Sequence, residues 1–269
     1  MDLVAAKRCG TTGVAGGELY YEVRGRGPAV LFISGATGDA GHFEQAAEIL
    51  ASEHEVITYD RRGNSRSRPA GPTTLDQQAD DAAALLRHVG AAAAAVFGTS
   101  GGAMIALKLA MRAPDVAREV LVHEPPFLQA LPDAAELGRA FQAQVEQALA
   151  TRGVHGAMEQ FVRENAGNDV FDRLEPALRE RMIANGPLFF EHELAMFLSW
   201  TPSEAELQGL RVPVRTLAGR DNRGSHYYRA TAWLANALRV DLDEIPGAHA
   251  PYVANPREFA AALRPLLNR

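Results

Sequence analysis

The 269-residue sequence predicts an α/β fold, a mostly parallel sheet with helices on both faces and one all-helical insertion. Three observations carry this. Short apolar runs alternate with segments of helical period from residue 18 to residue 123. The alternation stops from about 126 to 210, where only helical patterns occur, and then resumes to the end of the chain. At one junction of strand and helix stands Gly98-Thr99-Ser100-Gly101-Gly102, a G-x-S-x-G sequence.

In order, residues 18–24 (ELYYEVR) alternate as a half-buried strand does and read as an antiparallel edge. A turn at Gly25-Arg26-Gly27-Pro28 leads into the continuous apolar run Ala29–Ile33, a central strand. A helix near 42–52 and a strand at 56–59 follow, then a turn rich in Gly, Asn and Ser. The helix at Leu75–His88 carries its own start signal in Thr73, Thr74 and Asp76. A strand at 93–97, inside the alanine-rich apolar run 91–97, leads into Ser100 and a helix through Met111. The strand at 119–123 follows Pro114-Asp115. In the insertion, Leu137, Phe141, Val145 and Leu149 recur every fourth residue, and later segments centre on Phe161, Leu178 and Phe197. Strands at 214–218 and 241–245 then flank a helix at 227–238, and Pro256–Leu267 closes the chain as a helix.

Composition narrows the function classes. An apolar share of 47% supports a substantial core. The formal charge of −6 argues against nucleic acid or an anionic membrane as partner, since both favour a basic surface. Cys9 is the single cysteine, so no intrachain disulfide and no thiolate metal cluster can form. Met1-Asp2-Leu3-Val4-Ala5-Ala6-Lys7 lacks a basic leader with an apolar region, and no run of 18 apolar residues occurs. The expectation is a soluble, unprocessed, cytoplasmic protein acting on a small molecule.

A G-x-S-x-G sequence arises by chance in about one chain in fifteen of this composition, so its setting decides its meaning. A strand that turns directly into a helix forces the corner residue into a strained conformation and requires nearly bare flanking positions. Gly98 and Gly102 supply those, and Ser100 becomes the candidate nucleophile. A serine hydroxyl needs a base to take its proton, and the base needs an acid to orient it. Of the eight histidines, only His249 follows a late strand and precedes the last helix.

With these residues the chain resembles the α/β-hydrolase-fold enzymes along nearly its whole length. The matching segments are the GTSGG turn, Asp60-Arg61-Arg62-Gly63-Asn64-Ser65-Arg66-Ser67, and the tail IPGAHAPYVANPREFAAAL. The resemblance implies a mostly parallel eight-stranded sheet, a helical lid after strand 6, and a Ser-acid-His triad. On this reading residues 1–125 and 211–269 form the hydrolase core and 126–210 the lid. Two carboxylates stand at suitable strand ends: Asp221, after strand 7, where most of the family carries its acid, and Glu124, after strand 6. Glu124 lies in a His-Glu-x-Pro setting similar to that of the zearalenone lactonases. Glu124-Pro125-Pro126 favours Glu124, because proline cannot extend the ladder and pins the carboxylate at the strand end.

Acyl transfer also needs two donors aimed at the developing oxyanion. Gly101 supplies one N–H, and Gly35 or Ala36, in Ser34-Gly35-Ala36-Thr37-Gly38, supplies the other; most relatives carry His-Gly there. That loop is not a dinucleotide fingerprint, no His/Cys/Asp/Glu spacing marks a metal site, and no cofactor is expected. The arginine-rich stretch 60–67 reads as a structural turn rather than an anion site. The lid holds seven of the eleven phenylalanines, beside Leu198 and Trp200, and those not in its own core would line an apolar pocket over Ser100. The sequence therefore predicts a cofactor-independent serine hydrolase of hydrophobic esters or lactones. Its competitors are a carbon–carbon bond hydrolase of a diketone-like substrate and a slow-turnover binding protein of the same fold.

Overall fold

A computed structural model describes residues 7–91 and 93–268. Residues 1–6, on which the leader expectation rested, and Ala92 of the alanine run lie outside the described residues. Eight strands form one sheet: β1 (Arg8–Val14), β2 (Gly17–Arg24), β3 (Ala29–Ile33), β4 (Glu55–Tyr59), β5 (Ala94–Thr99), β6 (Ala117–His123), β7 (Val214–Gly219) and β8 (Leu242–Ile245). Their spatial order is β1-β2-β4-β3-β5-β6-β7-β8. The pairs β1/β2 and β2/β4 are antiparallel and the rest parallel.

Residues 18–24 are therefore not the edge strand that their alternation predicts. β1 takes the edge, and it escaped notice because RCGTTGV holds two glycines and buries only Thr12, leaving no apolar period to detect. Ala29–Ile33 is central as expected, and its alternate residues serve opposite faces. Leu31 and Ile33 join one core with α2 (Leu75–His88) and α3 (Gly101–Arg112). Val30 and Phe32 join the other with α1 (Glu44–Leu50), and with Phe259 and Leu263 from the last helix. Burial on both faces is what a continuous apolar run signals. Thr74 caps α2, its hydroxyl accepting from the Gln77 N–H at 3.1 Å.

Between β6 and β7 the described residues form helices and turns only: α4 (Ala134–Ala166), α5 (Asn168–Arg173), α6 (Pro176–Ala184), α7 (Gly186–Leu188), a π-helical turn (Phe189–Glu193), α8 (Leu194–Leu198) and α9 (Glu204–Gln208). α4 is broken at Gly153, where φ is 65°. The insertion is tied to the core by Arg181 on Asp39, at 2.7 Å, and by Asn185, which accepts from the Ser65 N–H and donates to the Thr37 carbonyl. α10 (His226–Leu238) follows β7, and α11 (Pro251–Ala254) and α12 (Pro256–Leu267) follow β8. No helix among the described residues is long and apolar enough to cross a membrane.

Candidate active site

Ser100 alone separates β5 from α3, so one residue makes the whole reversal. Its φ of 54° and ψ of −126° are a conformation that few L-residues adopt, held here by the Ser100 N–H donating to the His123 carbonyl at 2.9 Å. The flanking glycines explain the motif's spacing. A Cβ on Gly98 would overlap the Gly102 carbonyl, and one on Gly102 would overlap the Ile33 carbonyl.

His249 lies in the loop between β8 and α11, and its Nδ1 is 2.6 Å from Glu124 Oε2. Glu124, one residue past β6, is fully buried and also has a left-handed backbone, with φ 48°. Its Oε1 accepts from the Gly219 N–H at 2.9 Å, and its Oε2 accepts from Asn222 Nδ2 at 2.7 Å. Burial opposes ionisation of Glu124. The hydrogen bond to His249, the charges that His123 and His249 can carry, and the Gly219 N–H outweigh it and hold the pKa below the ordinary 4.5. A carboxylate on Nδ1 selects the tautomer whose Nε2 accepts a proton.

The structure thus brings Glu124 to His249 and leaves Asp221 aside. The Asp221 side chain is exposed, and its N–H donates to the Gly247 carbonyl at 3.0 Å, linking the loops after β7 and β8. The β7 loop does reach the carboxylate of Glu124, through Asn222, which the sequence reading passed over in favour of its acidic neighbour.

Gly101 opens α3, so its N–H has no acceptor within the helix. Gly101, Ala36 and Ser100 line one cavity of about 180 Å³; Gly35, Ala36, Ser100 and His249 line a second of about 50 Å³. Insertion residues wall the larger one: Leu137, Phe141, Phe161, Phe189, Leu194 and Phe197. Two more wall residues, His226 and Tyr227, carried no sequence signal beyond their place at the start of α10. The Tyr227 ring stacks on His249, with centroids 3.8 Å apart and planes at 15°. Burial raises the pKa of the Tyr227 phenol, which keeps its proton. Burial, and then the charge of His249, lowers His226 to about 4, so it is neutral.

The arginine-rich turn faces inward. Arg62 pairs with Asp81, Arg66 with Asp60, and Arg61 with Glu193, while Asp60 also accepts from the Ala40 N–H. These are internal partners, as a scaffold turn requires.

The sequence profile described as the alpha/beta hydrolase family matches residues 30–262. The uncharacterized hydrolase YraK of Bacillus subtilis is 32% identical over 267 residues, 97% of this chain and 96% of that protein. The zearalenone hydrolase of Cladophialophora bantiana is 27% identical over 255 residues, 90% of this chain and 89% of that one. Among solved structures, the enol-lactonase from Burkholderia xenovorans LB400 superimposes with a TM-score of 0.77 at 20% identity, covering 97% of this chain and 100% of that chain. At that identity the superposition speaks for the fold alone.

Proposed function

This chain belongs to the alpha/beta hydrolase family, and from that premise we propose that it cleaves a carboxylic ester or lactone of a hydrophobic small molecule through an acyl-enzyme. The observation that carries the reading is the 2.6 Å contact of His249 Nδ1 with the buried Glu124, beside a serine held at a strained corner on the same cavity wall. The hydrolase relatives support it.

In this cycle Ser100 Oγ attacks the carbonyl carbon while His249 Nε2 takes the hydroxyl proton. Glu124 accepts the Nδ1–H and balances the charge of the imidazolium. The N–H of Gly101 and that of Gly35 or Ala36 receive the oxyanion. Collapse of the tetrahedral intermediate breaks the bond to the alkoxy oxygen, which takes the proton from His249. Water, deprotonated by the same imidazole, then releases the acid and restores Ser100. The apolar helical insertion acts as a lid whose phenylalanines receive the hydrophobic part of the substrate.

Hydrolysis of p-nitrophenyl esters and a lactone panel, together with labelling by a fluorophosphonate, tests the reading. Ser100→Ala is expected to fold as the parent does, to escape labelling, and to lose about 10³- to 10⁶-fold in kcat. Retention of more than about a tenth of the activity would overturn it.

A further inference from the structure

The pair formed by Arg61 and Glu193 takes no part in the cycle above, yet it joins the core to the lid across 132 residues of chain. Both side chains are wholly excluded from solvent. Arg61 donates to both carboxylate oxygens, at 2.5 and 2.8 Å, and to Gln78 Oε1 at 2.9 Å. Gln78 and Asn64 complete the shell of Glu193 Oε1, donating at 3.1 and 3.2 Å. Taking two charges out of water is costly, and apolar residues often replace such pairs without loss of stability. Stability alone is therefore a poor reason for this pair.

The remaining donors of Arg61 supply a better one. Nη2 and Nε reach the carbonyl of Gly35, at 2.9 and 3.3 Å. In a planar trans peptide the carbonyl and the next N–H point to opposite sides. The guanidinium, with the Gly38 N–H donating to the same oxygen at 3.0 Å, holds the Gly35 carbonyl on one side and so turns the Ala36 N–H to the other, and Ala36 lines both cavities that Ser100 lines. The charge also polarises the peptide, which strengthens the N–H as a donor.

We propose that Arg61 and Glu193 are positioning residues for the reaction: the lid carboxylate fixes the guanidinium, and the guanidinium fixes the peptide whose Ala36 N–H meets the oxyanion. This assigns the second donor to Ala36 and rests on the hydrolase reading. Glu193 ends the π-helical turn that begins with Phe189, and Phe197 packs one turn further on, against Gly101. The segment that walls the apolar cavity therefore also sets the oxyanion donor, so lid seating and transition-state stabilisation are one event.

Two variants test this. Glu193→Gln removes the charge and keeps the shape; Arg61→Met with Glu193→Leu removes both charges and leaves neither alone in the interior. Each is compared with the parent in thermal melting, hydrolysis of p-nitrophenyl butyrate, and inhibition by phenylboronic acid, whose serine adduct places an oxygen where the oxyanion forms. The expected result for the double variant is cooperative melting, KM within about threefold of the parent, and kcat lower by about 10- to 100-fold. Boronate affinity falls by the same factor, and Glu193→Gln changes in the same direction by less. Either variant melting cooperatively with kcat and boronate affinity within about twofold of the parent would overturn the proposal. Ser100→Ala separates the two readings: if it stays active the hydrolase reading fails, whereas if it is inactive and the pair variants are unimpaired, only the positioning role fails.

Discussion

The loops at the carboxyl end of the sheet and the helical insertion between β6 and β7 hold their groups by different means. At the sheet end the backbone does the holding. Ser100 and Glu124 both have left-handed φ, the Ser100 N–H is tied to His123, the Glu124 carboxylate to the Gly219 N–H, and Asp221 to Gly247 through main chain. In the insertion the cavity is shaped by side chains, with Leu137 and Phe141 half-buried on the first half of α4. The difference teaches where change is tolerated: a side-chain wall can be recut residue by residue, whereas a backbone corner cannot.

The largest test of that contrast is at the acid. Glu124→Gln keeps the shape at the sheet end but cannot balance the imidazolium, and its kcat is expected to fall about 10²- to 10⁴-fold with the fold intact. Asp221→Asn, exposed in the loop after β7, is expected to cost less than about tenfold, and kinetics with one ester decides the ranking. Reversal of the order would give the acid role to Asp221.

A smaller effect is expected in the wall. Phe141→Ala removes apolar contact without touching a reacting group, so KM for a long-chain p-nitrophenyl ester should rise about tenfold, while kcat for the acetate stays near the parent value. Loss of kcat on both esters would show that the helical insertion does more than shape the pocket.

The smallest effect reads a buried histidine at the sheet end. Burial lowers His123 from 6.5 to about 4, so folded protein leaves it neutral where the unfolded chain protonates it. Its contribution is therefore whole above pH 6.5 and is lost as pH falls toward 4. Unfolding by urea should show stability declining through this window, and His123→Asn should make the decline shallower by about 1 kcal/mol per pH unit. An unchanged slope in that variant would show that His123 exchanges no proton on unfolding.

Sequence reading succeeded where constraint is local. The Ser100 corner, the His249 loop and the Thr74 cap each announce themselves within a few residues, because a strand end, a tight turn and a helix start impose residue types directly. It failed where the constraint is distant or lacks a period. β1 has no apolar alternation, and Asn222 is neutral beside a more conspicuous aspartate. Nothing near Arg61 foretells a carboxylate 132 residues away, and nothing in the HYY run at the start of α10 foretells a ring stacked on His249. Between Glu124 and Asp221 the sequence offered chemistry for both and leaned to Glu124 through Pro125-Pro126, and the structure places Glu124 against His249 and leaves Asp221 exposed.

The break in α4 bears on the shape of the larger cavity. A straight helix of its 33 residues would run about 50 Å, longer than a small domain is wide, and could offer the cavity only one of its ends. Folded back at Gly153, the same segment offers Phe141 from its first half and Phe161 from its second. A methyl group on Gly153 would meet no atom within 4 Å, so replacing it crowds nothing and acts through torsion alone, at about 1–3 kcal/mol for a side chain at φ 65° and ψ 176°, a region open essentially to glycine only. The placing of the two aromatic walls thus depends on the backbone of one exposed glycine that does not itself line the cavity.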